Sequence, residues 1–174
     1  MGVYLFLKNE YIKGNILNNF VFQFVFRSYY KLDGAGLSDK IKNHFFKLLS
    51  DKQTNLETIL TELYAIPTLR NRNTIQFSFA TKLLHTINND LPIFDSEVGK
   101  IFNIGVSGVG RDARTASCVK IYDSLKIYYI ELKKEEKIRE IIIKLRQKFN
   151  VNAEKVSDTK ILDFIIWSLG KLKF

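Results

Sequence analysis

A single cysteine, Cys118, stands in this chain of 174 residues, so an internal disulfide and a four-cysteine zinc or iron–sulfur site are both excluded. Its place in an apolar helical pattern predicts a buried, inert thiol, and a reducing cytosol suits such a chain. Prolines number 2 and glycines 9, few enough to allow long uninterrupted helices. The 2 histidines, His44 and His85, fall in separate predicted helices with no carboxylate spacing beside them. They are read as ordinary core or helix-surface residues, and the sequence points to no metal and no cofactor. Long hydrophobic runs are missing as well. The opening MGVYLFLKNEYIKGN is too short to span a bilayer, and it lacks the charged start and cleavage site of a signal peptide. Gly2 begins a myristoylation-like pattern, but Phe6 occupies the place where serine or threonine is wanted. The expectation is a cytoplasmic protein with no membrane partner.

What is present is apolar and basic. A hydrophobic fraction of 46% and an aromatic fraction of 13% are ample for a packed core. The formal net charge of +9 and the pI near 9.5 favour a polyanionic partner, most simply nucleic acid. The length suits a single helical domain over residues 1–174, or two small lobes.

The spacing of apolar residues is helical almost throughout. Ile16 to Leu32 places Ile16, Phe20, Val21, Phe24, Val25 and Tyr29 on one broad face, which is the predicted buried face. Asp33-Gly34-Ala35-Gly36 ends that helix. Ser38 or Asp39 starts a second through Ile41, Phe45, Phe46, Leu48 and Leu49. Thr54 or Asn55 starts a third through Leu56, Ile59, Leu60 and Leu63, closed by Pro67. IPTLRNRN, residues 66–73, reads as a tight basic connection. A helix through Phe79, Leu83, Leu84 and Ile87 follows, broken by Asn88-Asn89-Asp90 and Pro92. Asp95 has N-cap chemistry, with Glu97 in the first turn behind it. Residues 105–112, GVSGVGRD, form the predicted hinge or lobe boundary. Ala113 to Leu132, Glu135 to Phe149 and Ser157 to Leu172 give three further helices. Strand-like alternation appears only in Val3 to Leu7. The fold class is all-α.

Few residues carry chemistry on spacing alone. GVSGVG lacks the Lys-Ser/Thr ending of a phosphate loop, and no parallel-sheet pattern precedes it. The run Lys133-Lys134-Glu135-Glu136-Lys137 reads as a solvated helix start. Trp167, among Ile165, Ile166 and Leu169, reads as a core anchor of the last helix. Lys82, early in one helix, and Asp95, at the mouth of the next, make a candidate nucleophile and partner. Surface lysine and simple helix cap are their plainer roles.

Two segments resemble a known family. PIFDSEVGKIF, Pro92 to Phe102, looks like the aspartate motif of the helix-hairpin-helix DNA glycosylases. FATKLL, Phe79 to Leu84, resembles the segment with the catalytic lysine in their bifunctional members, the 8-oxoguanine glycosylases included. VSDTKILDFIIWSLGK resembles small bacterial proteins loosely related to that superfamily. The resemblance implies a compact multi-helix fold with a degenerate helix-hairpin-helix, because TLRNRNTIQFSFATK holds no glycine where the family has a Gly-rich turn. It implies a base flipped into a pocket, attack by a neutral Lys82 amine on the sugar, and charge stabilisation by Asp95. Arg70, Arg72, Lys100 and Arg111 become candidate phosphate contacts on DNA. The alternative is a non-catalytic scaffold of the same fold that binds nucleic acid or a protein.

Overall fold

The computed structural model describes residues 1–172. Among them every regular element is helical and no strand occurs: α1 Gly2–Lys13, α2 Phe20–Tyr30, α3 Asp39–Ser50, α4 Leu56–Tyr64, α5 Phe77–Ile87, α6 Ser96–Phe102, α7 Arg111–Lys134, α8 Glu136–Phe149 and α9 Asp158–Lys171. Most helix starts follow the capping chemistry read from the sequence, but α2 begins at Phe20 behind Asn19 and not at the predicted Ile16. Asn19, Ser38, Asn55, Asp95 and Ser157 each accept a hydrogen bond from a first-turn amide that has no partner within its helix. No helix among the described residues is long and apolar enough to cross a membrane.

The chain divides into two compact units, Met1–Ile87 and the residues from Asn88 onward. The division falls at the Asn88-Asn89-Asp90 break and not at 105–112, which lies inside the second unit. There Gly108 and Gly110 take positive φ values of 99° and 82°, and Ser117 Oγ accepts from the Ser107 amide at 3.1 Å.

In the first unit α1 packs on α2, and α3, α4 and α5 pack on one another. Its core is aromatic. Phe26, fully buried, meets Phe45 and Phe46 of α3 with ring centroids 5.5 and 5.6 Å apart. Two sequence expectations fail here. Val3 to Leu7 is not a strand but lies within α1, which buries Tyr4 and Leu7 at helical spacing. In α2 the buried side is Phe22, Phe26 and Tyr30, whereas Phe20, Val21 and Phe24 of the predicted face are 76%, 64% and 62% exposed. The sequence FVFQFVFRSYY is apolar around most of its circumference, so periodicity alone cannot choose the side.

In the second unit α6 packs on α9, and α7, α8 and α9 pack on one another. Gly170 brings α9 against the first turn of α6, where an added Cβ would sit 2.7 Å from Glu97 Cβ and 2.8 Å from the Glu97 carbonyl oxygen. Trp167 is not the predicted core anchor. The residue is 40% exposed, with Lys171 Nζ 5.4 Å from the ring centroid, and Ile161, Leu162 and Ile166 fill the core side of α9. Cys118 is buried as expected, and burial pushes its thiol up to about 11.

Candidate functional site

Lys82 sits in the second turn of α5, on a stretch where Phe79, Ala80, Thr81, Leu83, Leu84 and His85 are also buried. Only 9% of the residue is exposed. Spacing places Ser78 one turn earlier on the same side, and Lys82 Nζ donates to Ser78 Oγ at 3.0 Å. The amine also reaches the Tyr30 carbonyl oxygen at 3.4 Å and lies over the rings of Phe79 and Tyr30, 4.8 and 5.8 Å from their centroids. The last turn of α2 and the first of α5 thus build an aromatic recess around one amine. On the same helix His85 is fully buried, its Nε2 3.5 Å from the Tyr4 hydroxyl.

Asp95, in the second unit, has an extended backbone, and its Oδ1 accepts from the Glu97 and Val98 amides at 2.9 and 3.1 Å. The carboxylate is therefore held at the positive end of a short helix. Glu97 beside it is buried and bonded to Lys100 and Lys171, each at 2.9 Å. Those bonds, Lys100 first, hold its carboxyl below the usual range against the effect of burial.

The segment that leads to Asp95 is fastened by side chains of α7 and α9. Asp163 Oδ1 accepts from the Ile93 amide at 3.3 Å and from the Tyr129 hydroxyl at 2.7 Å, and Lys160 Nζ lies 3.8 Å from Oδ2. The side chains of Lys160 and Asp163 are only 4% and 7% exposed. Burial raises the Asp163 carboxyl to about 6, opposed by the Lys160 charge, the Tyr129 hydroxyl and the Ile93 amide. Burial likewise lowers the Lys160 ammonium, while the charges of Asp163 and Asp95 work the other way. Sequence reasoning passed over this group. Its signal was a lysine and an aspartate three positions apart among the core residues Ile161, Leu162 and Ile166.

No family model, no curated protein and no solved structure matches the chain.

The candidate phosphate contacts fall in different settings. Arg70 and Arg72 lie exposed in a tight turn of the first unit, closed by the Thr68 amide on the Arg72 carbonyl oxygen at 3.0 Å. Asn71, between them, supplies the left-handed backbone at φ 53° that the glycine-free sequence still needs. Lys100 and Arg111, in the second unit, are exposed but ion-paired, with Glu97 at 2.9 Å and Asp112 at 2.6 Å. The two histidines have different partners, His44 bonding Glu62 at 2.7 Å and His85 facing Tyr4, and among the described residues no group of three or more metal-ligating side chains forms.

Proposed function

We propose that the chain is a DNA glycosylase/AP-lyase-like protein that acts on damaged bases through Lys82. The observation that carries the reading is the burial of the Lys82 amine in an aromatic recess on α5, at the position where the resemblance puts a catalytic lysine. An amine withdrawn from water loses the hydration that stabilises its cation, which suits a nucleophile. Its nitrogen bonds to the sugar C1′, the C1′–base bond breaks, and the base leaves with its electron pair and takes up a proton. Opening of the sugar ring gives a Schiff base. Loss of a proton from C2′ then expels the 3′ phosphate and nicks the strand.

Asp95 is assigned the stabilisation of positive charge on the sugar. Support for the DNA partner comes from the net charge of +9 and from the exposed Arg70 and Arg72. Such a partner implies a cytoplasmic protein.

The second reading, a non-catalytic nucleic-acid-binding scaffold, is favoured by the partners of Lys82. A hydroxyl, a carbonyl oxygen and two ring faces are also what a lodged structural ammonium requires. Incision of a labelled duplex with one abasic site separates the two. The catalytic reading expects nicking that Lys82→Gln abolishes and Asp95→Asn weakens, with duplex binding kept. Binding without nicking in the wild type leaves only the scaffold.

A further inference from the structure

We propose that Asp163 is the positioning residue for the segment that carries Asp95. The proposal rests on the reading of Asp95 as part of the site, and its test separates the two. Residues 88–95 form no regular element, yet Pro92, Ile93 and Phe94 are buried. A buried irregular segment must find partners for its backbone outside itself. Three side chains of the second unit supply them: Ser157 Oγ donates to the Asn89 carbonyl oxygen at 2.7 Å, Tyr122 Oη donates to that of Pro92 at 3.1 Å, and Asp163 accepts from the Ile93 amide at 3.3 Å.

Among the three, Asp163 holds the point nearest Asp95, two residues upstream. Its own orientation is over-determined. Tyr129 Oη bonds the same oxygen at 2.7 Å, and Lys160 faces the other across 3.8 Å, all within the packed α7–α9 contact. A buried charged pair contributes little net stability compared with apolar packing, so its presence among the leucines and isoleucines of α9 points to a geometric duty. Asp163 fixes where residue 93 sits. The chain then has one intervening residue before Asp95 turns its carboxylate onto the α6 amides.

The test compares wild type, Asp163→Ala and the conservative Asp163→Asn, which keeps an acceptor for Ile93. Two readouts are used on the full chain: amide hydrogen exchange, and covalent trapping on abasic duplex with duplex affinity measured alongside. In Asp163→Ala the amides of Ile93, Glu97 and Val98 exchange at least about ten-fold faster, while those in the middle of α3 and α7 are unchanged. Trapping falls by about ten-fold or more with affinity kept within about three-fold, because the defect is misplacement and not lost binding. Asp163→Asn restores most of both.

If the wild type forms no adduct but the exchange pattern holds, the positioning role stands and the catalytic reading fails. If exchange at Ile93, Glu97 and Val98 is unchanged, or rises uniformly over the whole unit, the positioning role is overturned whatever trapping shows. Should Asp163→Ala not fold, Tyr129→Phe removes the hydroxyl that orients the carboxylate, and it is judged by the same amides.

Discussion

Replacing Gly170 with alanine sets two effects against each other, and the structure says which wins. Gly170 lies in the last turn of α9, where alanine should gain about 1 kcal/mol of helix propensity. The new Cβ, however, would stand 2.7 Å from Glu97 Cβ, 2.8 Å from the Glu97 carbonyl oxygen and 3.0 Å from Glu97 Cα. Carbon atoms are most favourably spaced at about 3.5–4.0 Å, so the helices must separate by a substantial part of an ångström. The obstacles are the Glu97 backbone and the Cβ fixed directly to it, none of which can rotate aside. Glu97 is further tied to Lys100 and Lys171 and gives its amide to Asp95. Overpacking of this kind costs about 1–3 kcal/mol, and the site's rigidity argues for the upper half of that range. The net expectation is a loss of about 1–2 kcal/mol. Urea unfolding followed by circular dichroism reads it as a lower midpoint at unchanged slope. A variant about 1 kcal/mol more stable than wild type would show the propensity gain acting alone, and would refute the close approach of α9 to α6.

Other perturbations test other parts of the account. Phe26→Ala should lose about 3–5 kcal/mol by opening a cavity among aromatic rings, whereas Phe24→Ser on the exposed side of α2 should stay within about 0.5 kcal/mol, both by urea midpoint. Asp95→Ala removes the acceptor of two α6 amides and should cost about 1 kcal/mol, with faster exchange at Glu97 and Val98. The Asp163 carboxyl, raised by burial from 3.8 to about 6, should titrate near that value by carboxyl carbon resonance, and Tyr129→Phe should move the midpoint higher. Because the folded-state value lies above the unfolded one, this group favours folding most below pH 3.8, and its contribution declines as pH rises to about 6. A midpoint at the ordinary value would contradict the burial.

Helix positions were largely legible because caps and breakers are local. Ser38, Asn55, Asp95 and Ser157 do what their side chains imply, and Asn88-Asn89-Asp90 ends a helix. Facing was less legible. In α2 aromatic and β-branched residues surround the helix, and tertiary packing alone selects Phe22 and Phe26 over Phe20 and Phe24. Trp167 failed for the same reason, since isoleucines and leucines on α9 compete for the core. Val3 to Leu7 misled because an alternating stretch of five residues fits part of a helix as well as a strand. At the candidate site the capping by Asp95 could be anticipated from position, whereas Lys82 also fitted a surface lysine, and its burial depends on Tyr30, 52 positions away in the chain. Asp163 and Lys160 could not be assigned partners, because Ile93 and Tyr129 lie 70 and 34 positions away from Asp163 in the chain. Long-range pairing of that kind leaves only a weak trace, charged residues on an apolar helix face.

The central claim is that the Lys82 amine is a working nucleophile. Borohydride reduction during incubation with an abasic duplex, followed by peptide mapping of the adduct, tests it most directly. The account predicts one covalent protein–DNA species whose mass shift maps to the peptide holding Lys82, and its loss in Lys82→Gln. No adduct with a folded, duplex-binding wild type, or an adduct on another lysine that survives the substitution, would contradict it.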